Sequence, residues 1–181
     1  IRMRVLGPDH PDIALSQDQL AFSLDRQNRR GEAREFYEQA LALRRRALGP
    51  RHVEVADTLT NLATLAFRSG ALDDAIASQL EALDIYRGAY GEHPRVASAL
   101  GNAGVMLRDR ARYDEARSLF TESLEMRRRL AGEAHTDYAI ALLHLGVLDR
   151  ATGRLDESAR LLQQAADIFT RRLGADQPRV S

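Results

Sequence analysis

The chain contains no cysteine, which excludes a disulfide framework and thiolate metal sites. Lysine is missing as well, so all 26 side chains counted as Lys plus Arg are arginine. Codon bias of the kind a GC-rich bacterial genome imposes is the expected origin of this usage. It leaves every cation other than histidine as a planar fork suited to bidentate carboxylate contacts. An excess of one charge sign is also lacking, with 26 basic against 26 acidic residues and only 6% aromatics. Neither a basic field nor a stacking platform is therefore offered to nucleic acid, and anionic lipid finds no patch. No apolar run is long enough to cross a bilayer, and the first residues do not form a signal peptide. A cytoplasmic location follows as the expectation. Phosphate-cradling glycine loops, paired metal-ligand spacings and a cysteine nucleophile are all absent, so no enzyme and no cofactor is expected.

What is present is a period. Leu6-Gly7-Pro8-Asp9-His10 returns as Leu48-Gly49-Pro50-Arg51-His52, as Tyr90-Gly91-Glu92-His93 and as Ala131-Gly132-Glu133-Ala134-His135, and Leu173-Gly174 opens another copy. The glycines are 42, 42, 41 and 42 residues apart. Such a period marks an array of stacked supersecondary units. With 44% apolar and 29% charged residues, the chain has the composition of a folded array. Arrays of this kind present surfaces for binding.

Each repeat reads as two helices. Val55, Leu59, Leu62, Ala63 and Ala66 recur at helical spacing, then Leu72, Ala75, Ile76, Leu80, Leu83 and Ile85 do so after Gly70. Asn28, Ala111 and Gly153 stand at the place of Gly70. Alanine there predicts a tighter or strained turn. Helices of about 16 residues joined by short turns form antiparallel hairpins. Small residues recur early in each second helix (Ala33, Ala75, Ala116, Ser158) and seven residues later (Ala40, Ala82, Ser123, Ala165), which lets paired helices approach closely.

With Tyr37, Phe120 and Leu162 between those small residues, and Gln79 departing, the sequence resembles the tetratricopeptide repeat family. Its usual unit is 34 residues; the longer form with Leu-Gly-x-x-His-Pro linkers resembles kinesin light chain repeats. The resemblance implies an all-α, right-handed α-solenoid of antiparallel hairpins. Repeats are expected at 6–47, 48–89, 90–130 and 131–172, with the tail of a preceding repeat at 1–5 and the start of a truncated one at 173–181. Polar capping elements are not visible at either end, so an excerpt of a longer protein is expected, with ends that could drive homo-oligomerisation.

Two basic sets have structural and functional readings. The linker histidines (His10, His52, His93, His135) are too far apart to share one ion, because packed helices lie roughly 8–10 Å apart; a helix-start role is expected. The clusters Arg44-Arg45-Arg46, Arg127-Arg128-Arg129 and Arg171-Arg172 read either as a phosphate-binding ridge or as cations complementing helix C-termini.

The informative positions lie on the first helices, whose inner faces line a concave groove in the family. Gln19, Asn61, Asn102 and His144 share one register position. In kinesin light chains its asparagines hold the backbone of a cargo peptide, an act for which an amide supplies both donor and acceptor. An inter-repeat hydrogen-bond ladder is the alternative for these residues. Phe67, Val105, Leu143 and Val147 would add apolar contacts, while Arg68, Arg108 and Arg150 would select acidic groups. Phe22 and Phe67 read as groove or core. The carboxylate clamp of chaperone-binding relatives is absent, since Asp18, Thr60, Gly101 and Leu143 replace its first lysine. The function implied is a scaffold binding a peptide segment of a protein partner; the alternative is a spacer or self-association module within a larger regulatory protein.

Overall fold

The computed structural model describes residues 11–175, which form eight α-helices and no strand. They are α1 (Pro11–Arg26), α2 (Arg30–Leu48), α3 (Val53–Arg68), α4 (Leu72–Tyr90), α5 (Pro94–Asp109), α6 (Tyr113–Ala131), α7 (Thr136–Ala151) and α8 (Leu155–Ala175). The tail expected at 1–5, the first linker with His10, and residues 176–181 of the truncated repeat expected at 173–181 lie outside the described residues. First helices of each pair have 16 residues, as expected, whereas α2, α4 and α6 have 19 and α8 has 21. The extra turn of α2 and of α6 carries arginines held by carboxylates: Arg45 meets Glu81 at 2.6 Å and Arg129 meets Glu92 at 2.8 Å.

The helices divide into two compact units at Gly91–Glu92. In the amino-terminal unit, α1 to α4 form two hairpins. Ala33, Ala40, Ala75 and Ala82 are fully buried there, as the small-residue periodicity requires. Ala21, Leu24, Ala33, Tyr37 and Leu65 make one core cluster with Phe36 and Leu62 packed on it; Ile13, Ala14, Ala40 and Leu43 make another.

The carboxy-terminal unit repeats the plan with α5 to α8. Its core joins Tyr138, Ala139, Leu142, Ala165 and Ile168. Ser123 and Ser158 replace alanines without leaving an unpaired hydroxyl. Each donates to a carbonyl of the facing first helix, Ala97 and Gly146 respectively, at 2.7 Å. The approach is closest where Phe120 lies over Gly104. A Cβ there would fall 2.5 Å from Phe120 Cε1, so no other residue fits without movement.

Every described linker histidine starts a helix. The Nδ1 atoms of His52, His93 and His135 accept the backbone N–H of Glu54, Arg95 and Asp137 at 3.3, 3.1 and 3.1 Å. This is the N-cap function more often given to Ser or Asp, satisfying one orphan donor of the first turn. The inter-helix turns pass through positive φ at Asn28 (63°), Gly70 (79°), Ala111 (60°) and Gly153 (79°). Ala111 therefore keeps the turn geometry and accepts the strain, about 1–2 kcal/mol for a residue with a Cβ.

Candidate functional site

In the amino-terminal unit, Gln19 on α1 and Asn61 on α3 are exposed. Neither side chain is hydrogen-bonded to another described residue, so no amide ladder forms here. Phe67 is half-buried and Phe22 is 61% exposed, which divides the two aromatics between core and surface. The arginine expected to select acidic groups behaves differently. Arg68 is paired with the buried Asp25, and Arg30 donates to the Arg68 carbonyl at 2.7 Å while its Nε lies 3.9 Å from Asp25. Burying a carboxylate without a cation is costly; Arg68 is committed to that one.

In the carboxy-terminal unit, Asn102 on α5 is likewise exposed and makes no hydrogen bond to a described residue. Val105 and Val147 are half-buried, and Leu143 is 40% exposed. A cleft of about 610 Å³ brings three of the sequence-derived residues together: Arg108, Val147 and Arg150, beside Asp109, Tyr113 and Ala151. Arg108 bonds to its neighbour Asp109 at 2.8 Å. Arg150 is exposed and has no carboxylate partner among the described residues. It is the cation of the three that remains available.

His144 shares the register of the asparagines but not their setting. Its ring centroid lies 5.1 Å from that of Phe120, and the ring packs beside Gly101, where a Cβ would meet it at 3.4 Å. Burial pushes the imidazole down to about 4, with Arg127 and Arg108 adding to the effect, so it is neutral at pH 7.

Two features escaped sequence reasoning. Tyr113, the exposed first residue of α6, lines the 610 Å³ cleft; the positions that open the other second helices hold Arg30, Leu72 and Leu155, and that aromatic was the available signal. Between α2 and α4 lies another cleft of about 490 Å³, floored by Leu41, Leu59, Leu62 and Leu65. Ion pairs Arg34–Asp74 (3.2 Å) and Arg45–Glu81 (2.6 Å) cross it. It was hidden because those side chains are far apart in sequence.

The arginine clusters are engaged as well. Arg44 bonds Asp18, Thr58 and Glu54; Arg128 pairs with Glu125 at 2.8 Å; Arg172 reaches the Ala134 carbonyl. Such commitments favour the structural reading of the clusters over a phosphate ridge. Among the described residues no group of His, Cys, Asp or Glu could hold a metal ion, and no helix is long and apolar enough to cross a membrane.

The tetratricopeptide repeat model matches residues 1–46, 26–88, 54–129 and 95–171, spanning most of the sequence in overlapping copies. The chain belongs to the tetratricopeptide repeat family. Among solved structures, this repeat array is similar to BtubC (BKLC) from P. vanneervenii, with 27% identity and a TM-score of 0.86 over 99% of this chain and 73% of that one. A putative kinesin light chain from Podosopora anserina with nearly identical TPR-like repeats shares the fold, with a TM-score of 0.85 at 20% identity over 95% of this chain and 82% of that one. The chain is also 28% identical, over 94% of its length, to a clustered mitochondria protein homolog of Aspergillus niger. It spans about 14% of the length of that relative. The tetratricopeptide architecture supports a scaffold for protein interaction.

Proposed function

We propose that the first-helix faces hold a peptide segment of a partner protein. The carrying observation is the state of Asn61 and Asn102: exposed, in register, and unbonded to any described residue. Asparagine is a poor helix-interior residue, and here no internal hydrogen bond compensates for it. Its amide matches the donor and acceptor of a peptide bond. Within the amino-terminal unit, Gln19 and Asn61 would hold backbone while Phe67 supplies apolar contact. Within the carboxy-terminal unit, Asn102 would do so while Val105, Leu143 and Val147 supply apolar contact and Arg150 receives an acidic side chain. Arg68 and Arg108 would serve as second-rank contacts, since both already meet aspartates. His144 supports the Phe120 side of the face.

The test is a peptide-display selection against the chain, run beside an Asn61→Ala/Asn102→Ala variant. Because both side chains are exposed and unbonded, the variant should keep its stability within about 0.5 kcal/mol. Motifs enriched by the parent and lost by the variant are expected; equal enrichment by both would overturn the assignment of the asparagines. A second reading, self-association, is favoured by Leu15, Leu20 and Phe22, which are 46%, 43% and 61% exposed on α1. Light scattering across a concentration series checks it: a mass that rises with concentration supports association, and a constant monomer mass removes it.

A further inference from the structure

The register of the repeats places Arg44 on α2 and Arg127 on α6 at the same position. Both are buried, 5% and 9% exposed. Arg44 is fully met: it bonds the Asp18 carboxylate and the Thr58 hydroxyl, and its Nε donates to Glu54 at 3.2 Å. The residues that stand for Asp18, Thr58 and Glu54 around Arg127 are Gly101, Ala141 and Asp137. Two of the three polar partners are therefore gone.

What remains around Arg127 is long and mostly neutral. Its Nε donates to Ser123 Oγ at 3.2 Å, its Nη1 to the Asp137 carbonyl at 3.2 Å, and its Nη2 to Ser98 Oγ at 3.4 Å. The Asp137 carboxylate stands 3.6 Å away and is 44% exposed. Burial pushes the guanidinium below its ordinary value, and Asp137 only offsets part of that. A buried cation is stable when it is paired and hydrogen-bonded; here the one paired carboxylate among the described residues, Asp137, stands beyond hydrogen-bond distance.

A pocket of about 220 Å³ opens beside it. Pro94, Ala97, Leu130 and Ala131 give it apolar walls, and His135 and Asp137 stand with Arg127 as its polar residues. Its size lies below the roughly 300–1,000 Å³ of sites for drug-sized ligands, which suits one side chain or one small acid. We propose that this pocket binds a carboxylate on a short aliphatic stem, with Arg127 as the counter-ion. The carboxylate meets Arg127 from the pocket, beside His135 and Asp137, and the stem lies against the apolar walls. Bidentate pairing with a guanidinium fixes its orientation. Asp137 is exposed enough to turn to solvent when the ligand enters. The site is independent of the first-helix amides, so it stands or falls apart from the peptide reading.

Two sources carry this chemistry: a free short-chain acid, or a glutamate side chain of a partner. The whole chain would be titrated by NMR on the arginine Nε–Hε signals, using acetate, butyrate, acetyl-glutamate-amide and acetyl-glutamine-amide. Arg127 is expected to shift saturably with butyrate, about tenfold tighter than with acetate for the two added methylenes. Acetyl-glutamine-amide should leave it unmoved. A shift with acetyl-glutamate-amide supports a peptide side chain as the source, and a shift with butyrate alone supports free acids. Arg127→Gln should lose at least about tenfold in butyrate affinity, the scale of a charge-assisted pair. Ala131→Phe, at an exposed position, should fill the pocket with Arg127 intact and abolish the shift. No saturable shift in the parent, or an unchanged one in Ala131→Phe, would overturn the proposal.

Discussion

The two units build the same hairpins with different means. The amino-terminal unit relies on buried ions: Arg44 with Asp18 and Glu54, and Asp25 with Arg68 and Arg30. The carboxy-terminal unit relies more on close packing, with Gly104 beneath Phe120 and Gly146 beneath Leu162. Ala21 and Ala63 hold those glycine positions in the first unit, opposite Tyr37 and Gln79. The buried carboxylate of the second unit stands in another register: Asp149 meets Arg154 at 2.8 Å and also Arg117, from the position occupied by Leu24 in α1. A repeat therefore conserves geometry without conserving the interactions that hold it, and each unit should fail under a different stress.

The largest contrast should come from the matched arginines. Arg44→Met strands the half-buried Asp18, whose side chain is 12% exposed, and should cost about 3 kcal/mol. Arg127→Met leaves no buried carboxylate behind and should stay within about 1 kcal/mol. Urea denaturation of both variants measures the difference; equal losses would break the comparison.

Acid should then separate the units. The folded-state value of His144 lies near 4 against 6.5 for the free side chain. A cation-forming group lowered on folding leaves the unfolded chain with more protons between those values, so stability is complete above about pH 6.5 and falls as pH drops toward 4. The loss approaches roughly 3 kcal/mol at the lower end, an upper figure for a group that is not wholly buried. Hydrogen exchange should show α7 losing protection before α3 across this range. His144→Gln should flatten the dependence; an unchanged slope in that variant would assign the acid lability to another group.

The smallest effect concerns the turns. Ala111→Gly should stabilise the carboxy-terminal unit by about 1 kcal/mol, by relieving a left-handed alanine. Gly70→Ala should cost the amino-terminal unit a similar amount. Thermal melts of the pair test both signs.

Much of this was legible in the sequence because it is periodic. The helix pairs, the small-residue contacts and the histidine helix starts each repeat, and a repeated signal survives the noise of any one position. The site was legible only in part. Asn61 and Asn102 were identifiable as exposed amides because facing follows from register. The commitment of Arg68 to Asp25 was not, because an ion pair joining residues 43 positions apart depends on how hairpins stack. The burial of His144 was hidden for a related reason: its ring packs beside Gly101 of one helix and Phe120 of another.

The seat of Phe120 on Gly104 also bears on how such arrays could be recombined. A ring resting on bare backbone acts as a key in a slot, and it resists sliding of one helix along the other. The slot and the key lie on different helices of one hairpin. A crossover between α5 and α6 would separate them, joining a large side chain to a filled slot or a small one to an empty slot. Segments exchanged as whole hairpins keep the fit, so the interchangeable part of this chain is the hairpin and not the helix.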